Sequence, residues 1–104
     1  MNFKDALEKD LSNVFFNATE FAESANINGK DMLVVIDDDE LERQKILNSE
    51  ELVKAELLFF VEKKVFGNKP RPDALIDFNK KRYRILKVNE KNNLFTFILE
   101  RYSG

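Results

Sequence analysis

Apolar positions along this chain repeat with two different periods. Near the start, Phe3, Leu7 and Leu11, with Val14 just beyond, recur at the three- and four-residue steps of a helix face. The spacing predicts an amphipathic helix over residues 2–13, capped by Asn2 and supported by Lys4 and Glu8 one turn apart. So short and narrow a helix holds only when docked, on the domain itself or on a neighbouring subunit. From residue 20 the pattern changes to short apolar runs divided by turn residues. Residues 20–36 read as a hairpin around Asn28-Gly29, a pair that tolerates the positive φ of a type I′ turn. Its second arm, Met32-Leu33-Val34-Val35-Ile36, is apolar on both faces, which predicts a central strand covered twice.

Residues 37–53 carry seven acidic residues, and Leu41, Ile46, Leu47 and Leu52 are scattered without a stripe. The expectation is a long polar surface loop, with a helical turn from Ser49. Residues 55–65 read as a strand, Phe59-Phe60-Val61 tilting the choice away from a buried helix and placing one Phe on each face. Gly67-Asn68-Lys69-Pro70-Arg71-Pro72-Asp73 breaks any regular element. Three more strands follow: 74–78, 82–88 with Tyr83, Ile85 and Lys87 on one face, and 94–101 with Phe95, Phe97 and Leu99 on one face. The turns between them are 79–81 and 89–93. The fold class is therefore mainly β: a small antiparallel barrel or sandwich of about six strands, with an N-terminal helix and one long polar loop. A single domain over 1–104 is expected, its first nineteen residues a helical arm and residues 20–101 the β core.

Composition narrows the chemistry. Leu, Ile, Val and Phe make up 35 of 104 residues, enough for a core. There is no cysteine and no histidine, which excludes disulfides, Ser–His–Asp and Cys–His catalysis, and His- or Cys-ligated zinc. Three glycines cannot build the usual phosphate-cradling loops. Asp37-Asp38-Asp39-Glu40 lacks the spacing of a calcium loop and reads as a strand-ending turn. No enzyme and no cofactor is expected. No apolar run approaches the roughly 20 residues that span a bilayer, and Met1–Asp5 lacks the build of a leader, so a cytoplasmic protein without membrane contact is expected.

Charge is uneven. Residues 1–66 have 8 basic and 15 acidic residues, whereas residues 67–104 have 9 and 4. Three readings fit: two solvated faces, self-association of acidic on basic surface, or nucleic-acid contact through the basic half. An overall pI near 5.2 weighs against a dedicated DNA binder. Lys80, Lys81, Arg82 and Arg84 surround Tyr83 and read either as a base-stacking patch or as a solvated tip that blocks edge pairing. Phe15-Phe16 is core or an anchor onto a partner.

The order of motifs resembles a known family. Val14-Phe15-Phe16-Asn17 and Glu20-Phe21-Ala22-Glu23 follow the helix, then Ile27-Asn28-Gly29-Lys30 and the acidic strand end Val35–Leu41. Leu57–Val61, the break Gly67–Asp73, Tyr83 and Leu86-Lys87-Val88 complete the series. This is similar to the head–tail joining proteins of tailed phages and of defective prophages in Gram-positive bacteria. They are also called head-completion or stopper proteins, and the lambda-type tail attachment protein is a distant relative. The family's Pro-Gly-Asp or Pro-Gly-Glu turn is here Pro72-Asp73-Ala74. The resemblance implies a non-catalytic virion protein, assembled in the bacterial host cytoplasm. Copies would form a ring under the portal or an adaptor protein, extend and close the channel for packaged DNA without reading its sequence, and offer a surface to a tail protein.

Ring contacts are heterologous, so two different patches must meet. The expected pair is the acidic loop, Asp38, Asp39, Glu40, Glu42, Glu50 and Glu51, against the basic hairpin, Lys80, Lys81, Arg82 and Arg84, of the next copy. Alternatively the acidic loop lines the channel, where it repels DNA. The rival function is an OB-like single-stranded nucleic-acid-binding module, stacking bases on Tyr83 and Phe95.

Overall fold

Strict alternation across residues 94–101, with large apolar groups on both faces, requires a strand covered inside and out, and a closed barrel with an outer layer supplies that. The computed structural model describes residues 22–102. The helix over 2–13, the Phe15-Phe16 pair and the first two residues of the first expected strand lie outside the described residues. The described elements are β1 (Ala22–Ile27), β2 (Lys30–Ile36), α1 (Asp38–Leu47), β3 (Ala55–Glu62), the single-turn α2 (Lys63–Phe66), β4 (Leu75–Phe78), β5 (Lys81–Lys91) and β6 (Leu94–Arg101). All pairings are antiparallel, in the closed order β1-β2-β3-β6-β5-β4. The fold is thus a six-strand barrel rather than a sandwich.

Three two-residue turns hold the hairpins. Each begins with Asn and has two consecutive positive φ values: Asn28-Gly29 (53° and 89°), Asn79-Lys80 (52° and 69°) and Asn92-Asn93 (50° and 68°). Asn enters this left-handed region more readily than most residues. β5 consequently runs on to Lys91, and the expected turn over 89–93 shrinks to its last two residues. The barrel closes between β1 and β4 at a narrow seam, where Ile27 faces Phe78. Asparagine side chains extend that seam. Asn28 Oδ1 accepts from the Asp77 N–H at 2.9 Å, and Asn79 Oδ1 accepts from the Asn26 N–H at 2.9 Å.

The interior is aromatic. Phe59 stacks on Phe97 with centroids 5.0 Å apart, and Phe78 packs against Phe59 at 5.0 Å. α2 places Phe66 at 4.8 Å from Phe97 and 5.9 Å from Phe95, so its one turn plugs an end of the barrel. A second cluster lies outside the wall, where Val35, Leu58, Phe60, Leu94 and Ile98 pack with Leu41 and Leu52. Phe59 and Phe60 thus serve the two faces of β3, as expected. In β2 the outer face is covered at Val35 but half open at Leu33.

Two expectations need correction. The segment 37–53 is no long loop: residues 38–47 are helical, followed by turns that bury Leu52. Asp37 caps the helix, its Oδ1 accepting from the Glu40 N–H at 2.9 Å, and three acidic residues occupy the first turn, where the helix dipole favours them. Glu40 then accepts from Arg43 and Gln44, one turn on. This helix is held by its cap and polar pairs and buries only Glu40 and Leu41, so no apolar stripe announces it. In β5 the expected face of Tyr83, Ile85 and Lys87 is interrupted. A bulge at Leu86 shifts the register between Ile85 and Lys87, sending Val88 inward and leaving Lys87 out of the core.

Candidate functional site

The residues singled out for contact fall into two groups carried by different strands. α1 packs on β3, while Lys81, Arg82 and Arg84 lie on β5, two places from β3 in the six-strand ring. The acidic helix and the basic hairpin are thus carried by different strands, with β6 between them.

On the acidic side Asp38 and Asp39 lie in the first turn of α1, Glu42 in its second, and Glu50 and Glu51 in the turns leading to β3. No ion pair among the described residues engages these five. Glu40 differs: it is only 9% exposed and its carboxylate receives Arg43 at 2.7 Å and Gln44 at 2.9 Å. Glu40 builds the helix and does not present itself to a partner.

The basic side divides in the same way. Lys80 sits at the tip of the turn and Lys81 opens β5, both exposed. Arg82 Nε donates to Asp77 at 3.1 Å across the hairpin, and Arg84 Nη2 donates to Glu100 at 3.0 Å across β5 and β6. That hydrogen bond, with the charge of Glu100 behind it, holds the Arg84 guanidinium above its ordinary pKa and keeps it cationic. Arg84 Nε is buried without a hydrogen-bond partner. Lys80 and Lys81 are thus the free charges of this hairpin, while Arg82 and Arg84 also tie strands together.

Tyr83 and Phe95 do not form a stacking platform. Phe95 is buried inside the barrel, and the half-buried Tyr83 meets Phe78 edge-on at 6.3 Å. Among the described residues no group of three or more acidic side chains converges as a metal site. Near the C-terminal end of α1 an open groove of about 370 Å³ runs between Lys45, Val53, Lys54, Glu56, Glu100 and Arg101. Its mixed charge and openness suit contact with a macromolecular surface rather than enclosure of a small molecule.

One feature escaped the reading of the sequence. Ile46, Leu47 and Val53 project from the connector between β2 and β3 instead of packing beneath it. Their irregular spacing was the available signal, because apolar residues off any stripe have no face to share.

No helix among the described residues is long and apolar enough to cross a membrane. No family model and no curated protein matches the chain. Among solved structures the chain is similar to one described as the crystal structure of the ATP-binding sugar transporter-like protein from Salmonella typhimurium. The two share 18% identity over 94% of this chain and 91% of that one, with a TM-score of 0.52. At that identity the likeness concerns the fold alone.

Proposed function

We infer that this protein is a structural subunit of a phage or prophage particle, joining head to tail as one copy in a ring beneath the portal. It acts by assembly and has no catalytic step. The ring extends the DNA channel, retains the packaged genome and offers a docking surface to a tail protein. The observation that supports this reading is that acidic groups on α1 and the turns after it, and Lys80 and Lys81 on the β4–β5 hairpin, stand unpaired on separate elements of one barrel. Such a body associates head to tail, because the acidic side of one copy fits the basic side of the next. The order of motifs along the chain supplies the biological setting.

The test is complementation. Deleting the gene from its element should yield DNA-filled but tailless heads that leak their genome, and adding the purified protein should restore tail attachment. Tailed, infectious particles in the deletion would overturn the proposal. Salt-sensitive binding of single-stranded DNA by the free protein, with heads unaffected, would favour the nucleic-acid-binding alternative instead.

A further inference from the structure

Three turns begin with asparagine, but Asn28 is the chain's only asparagine followed by glycine. Both residues are exposed, and no described atom lies within 4 Å of the place a Gly29 side chain would take. An unshielded backbone nitrogen thus follows the Asn28 side-chain amide, the arrangement in which a thermolabile asparagine is least durable. The same two residues fasten the barrel. Among the described residues β1 and β4 share a single register pair, Ile27 with Phe78. Beside it Asn28 bonds Asp77 twice: its N–H donates to the Asp77 carbonyl at 3.0 Å, and its Oδ1 accepts from the Asp77 N–H at 2.9 Å. The Gly29 N–H donates to Asn26 Oδ1 at 3.2 Å.

We propose that Asn28 is a self-modification site, held back by the closed seam between β1 and β4 and, once converted, keeping that seam open. The only co-reactant is water. The Gly29 nitrogen attacks Asn28 Cγ. An N–Cγ bond forms, the Cγ–Nδ2 bond breaks, and ammonia leaves with the proton that Gly29 gives up. Water then opens the cyclic imide, its hydroxyl going to one of the two carbonyl carbons and its proton to the ring nitrogen. Opening at the side-chain carbonyl gives an aspartyl linkage, and opening at the main-chain carbonyl gives an isoaspartyl linkage. In the closed barrel the attack is restrained at both ends, because Asp77 holds the Asn28 amide and Asn26 holds the Gly29 proton. In the isoaspartyl product the main chain runs through the former side chain. That lengthened backbone no longer fits the two-residue turn, and the double bond to Asp77 is lost. Asn79 makes the matching contact across the seam, its Oδ1 on the Asn26 N–H at 2.9 Å, but Lys80 follows it and its side chain shields the nitrogen. Conversion is therefore confined to one of the two asparagine fasteners.

The test ages the purified full chain in warm, mildly alkaline buffer and follows each asparagine by peptide mapping and isoaspartate detection. Asn28 should convert while Asn79 stays intact, and it should convert several-fold more slowly in the folded protein than in urea. Asn79→Gly removes the acceptor for the Asn26 N–H while suiting the φ of 52°, and should speed conversion at Asn28 several-fold. Circular dichroism shows whether that variant is folded; where it is not, Phe78→Leu, which trims the partner of Ile27, replaces it. In the isoaspartyl fraction the amides of Asn28 and Asn79, which bond across the seam, should lose protection in hydrogen exchange while those of β6 keep theirs. Freshly prepared Asn28→Asp, with its main chain unaltered and an acceptor still in place, should keep that protection. No conversion in the folded protein, conversion as fast folded as in urea, or no acceleration in the loosened variant would overturn the proposal. So would an isoaspartyl fraction with its seam still protected.

Discussion

The barrel wall and the connector between β2 and β3 use the same apolar residue types to opposite ends. In the wall, Phe59, Phe95, Phe97 and Leu99 are fully enclosed, and neighbouring strands satisfy one another's backbone groups. In the connector Leu41 and Leu52 anchor α1 to the outside of the wall, while Ile46, Leu47 and Val53 stay in solvent. Most of the wall's large apolar groups are spent on folding, Leu33 and Leu75 excepted, whereas three of the connector's stay in solvent. Mutations in the two regions should therefore differ sharply in their effect on stability.

The largest expected effect lies in the wall. Phe97→Ala removes a ring that touches Phe59, Phe66 and Phe95, and should cost about 3–5 kcal/mol in urea unfolding. A loss below about 1 kcal/mol would show that the interior collapses around the cavity. Leu52→Ala tests the connector's anchor and should cost about 2–4 kcal/mol, with α1 loosened first in hydrogen exchange. Asp37→Ala removes the cap of α1 and should cost about 1 kcal/mol, loosening the helix while leaving wall amides protected. Lys80→Gly relieves a positive φ of 69° and should raise stability by up to about 1 kcal/mol. Smallest in stability is Ile46→Ser with Leu47→Ser, within about 0.5 kcal/mol of the parent because both side chains are already in water. Urea unfolding that shows so small a change beside the loss in Phe97→Ala would separate the two regions.

Much of the wall was legible because its signals are local. β6 alternates so regularly that its bounds, 94–101, and the inward set Phe95, Phe97 and Leu99 follow from the sequence, as does the Asn28-Gly29 turn. The bulge at Leu86 left no mark, since one extra residue changes neither composition nor turn signals. Closure between β1 and β4 was equally invisible: it joins residues about fifty positions apart and depends on asparagine side chains that read only as turn formers. α1 was missed because its stabilising pairs, Asp37 to Glu40 and Glu40 to Arg43 and Gln44, are polar and carry no apolar period. Charge alone picked out the acidic and basic groups. Which of them stay free depended on cross-strand register, and that register pairs Arg82 with Asp77 and Arg84 with Glu100.

The central proposal, that copies associate through their oppositely charged segments, is tested most directly by charge reversal and its repair. Lys80→Glu with Lys81→Glu should leave the barrel folded by circular dichroism but prevent assembly onto tailless heads. Adding Glu50→Lys and Glu51→Lys to the same chain should restore it, since every interface then carries the exchanged pair. Normal assembly by the first variant, or no recovery in the second, would contradict association through these charged segments.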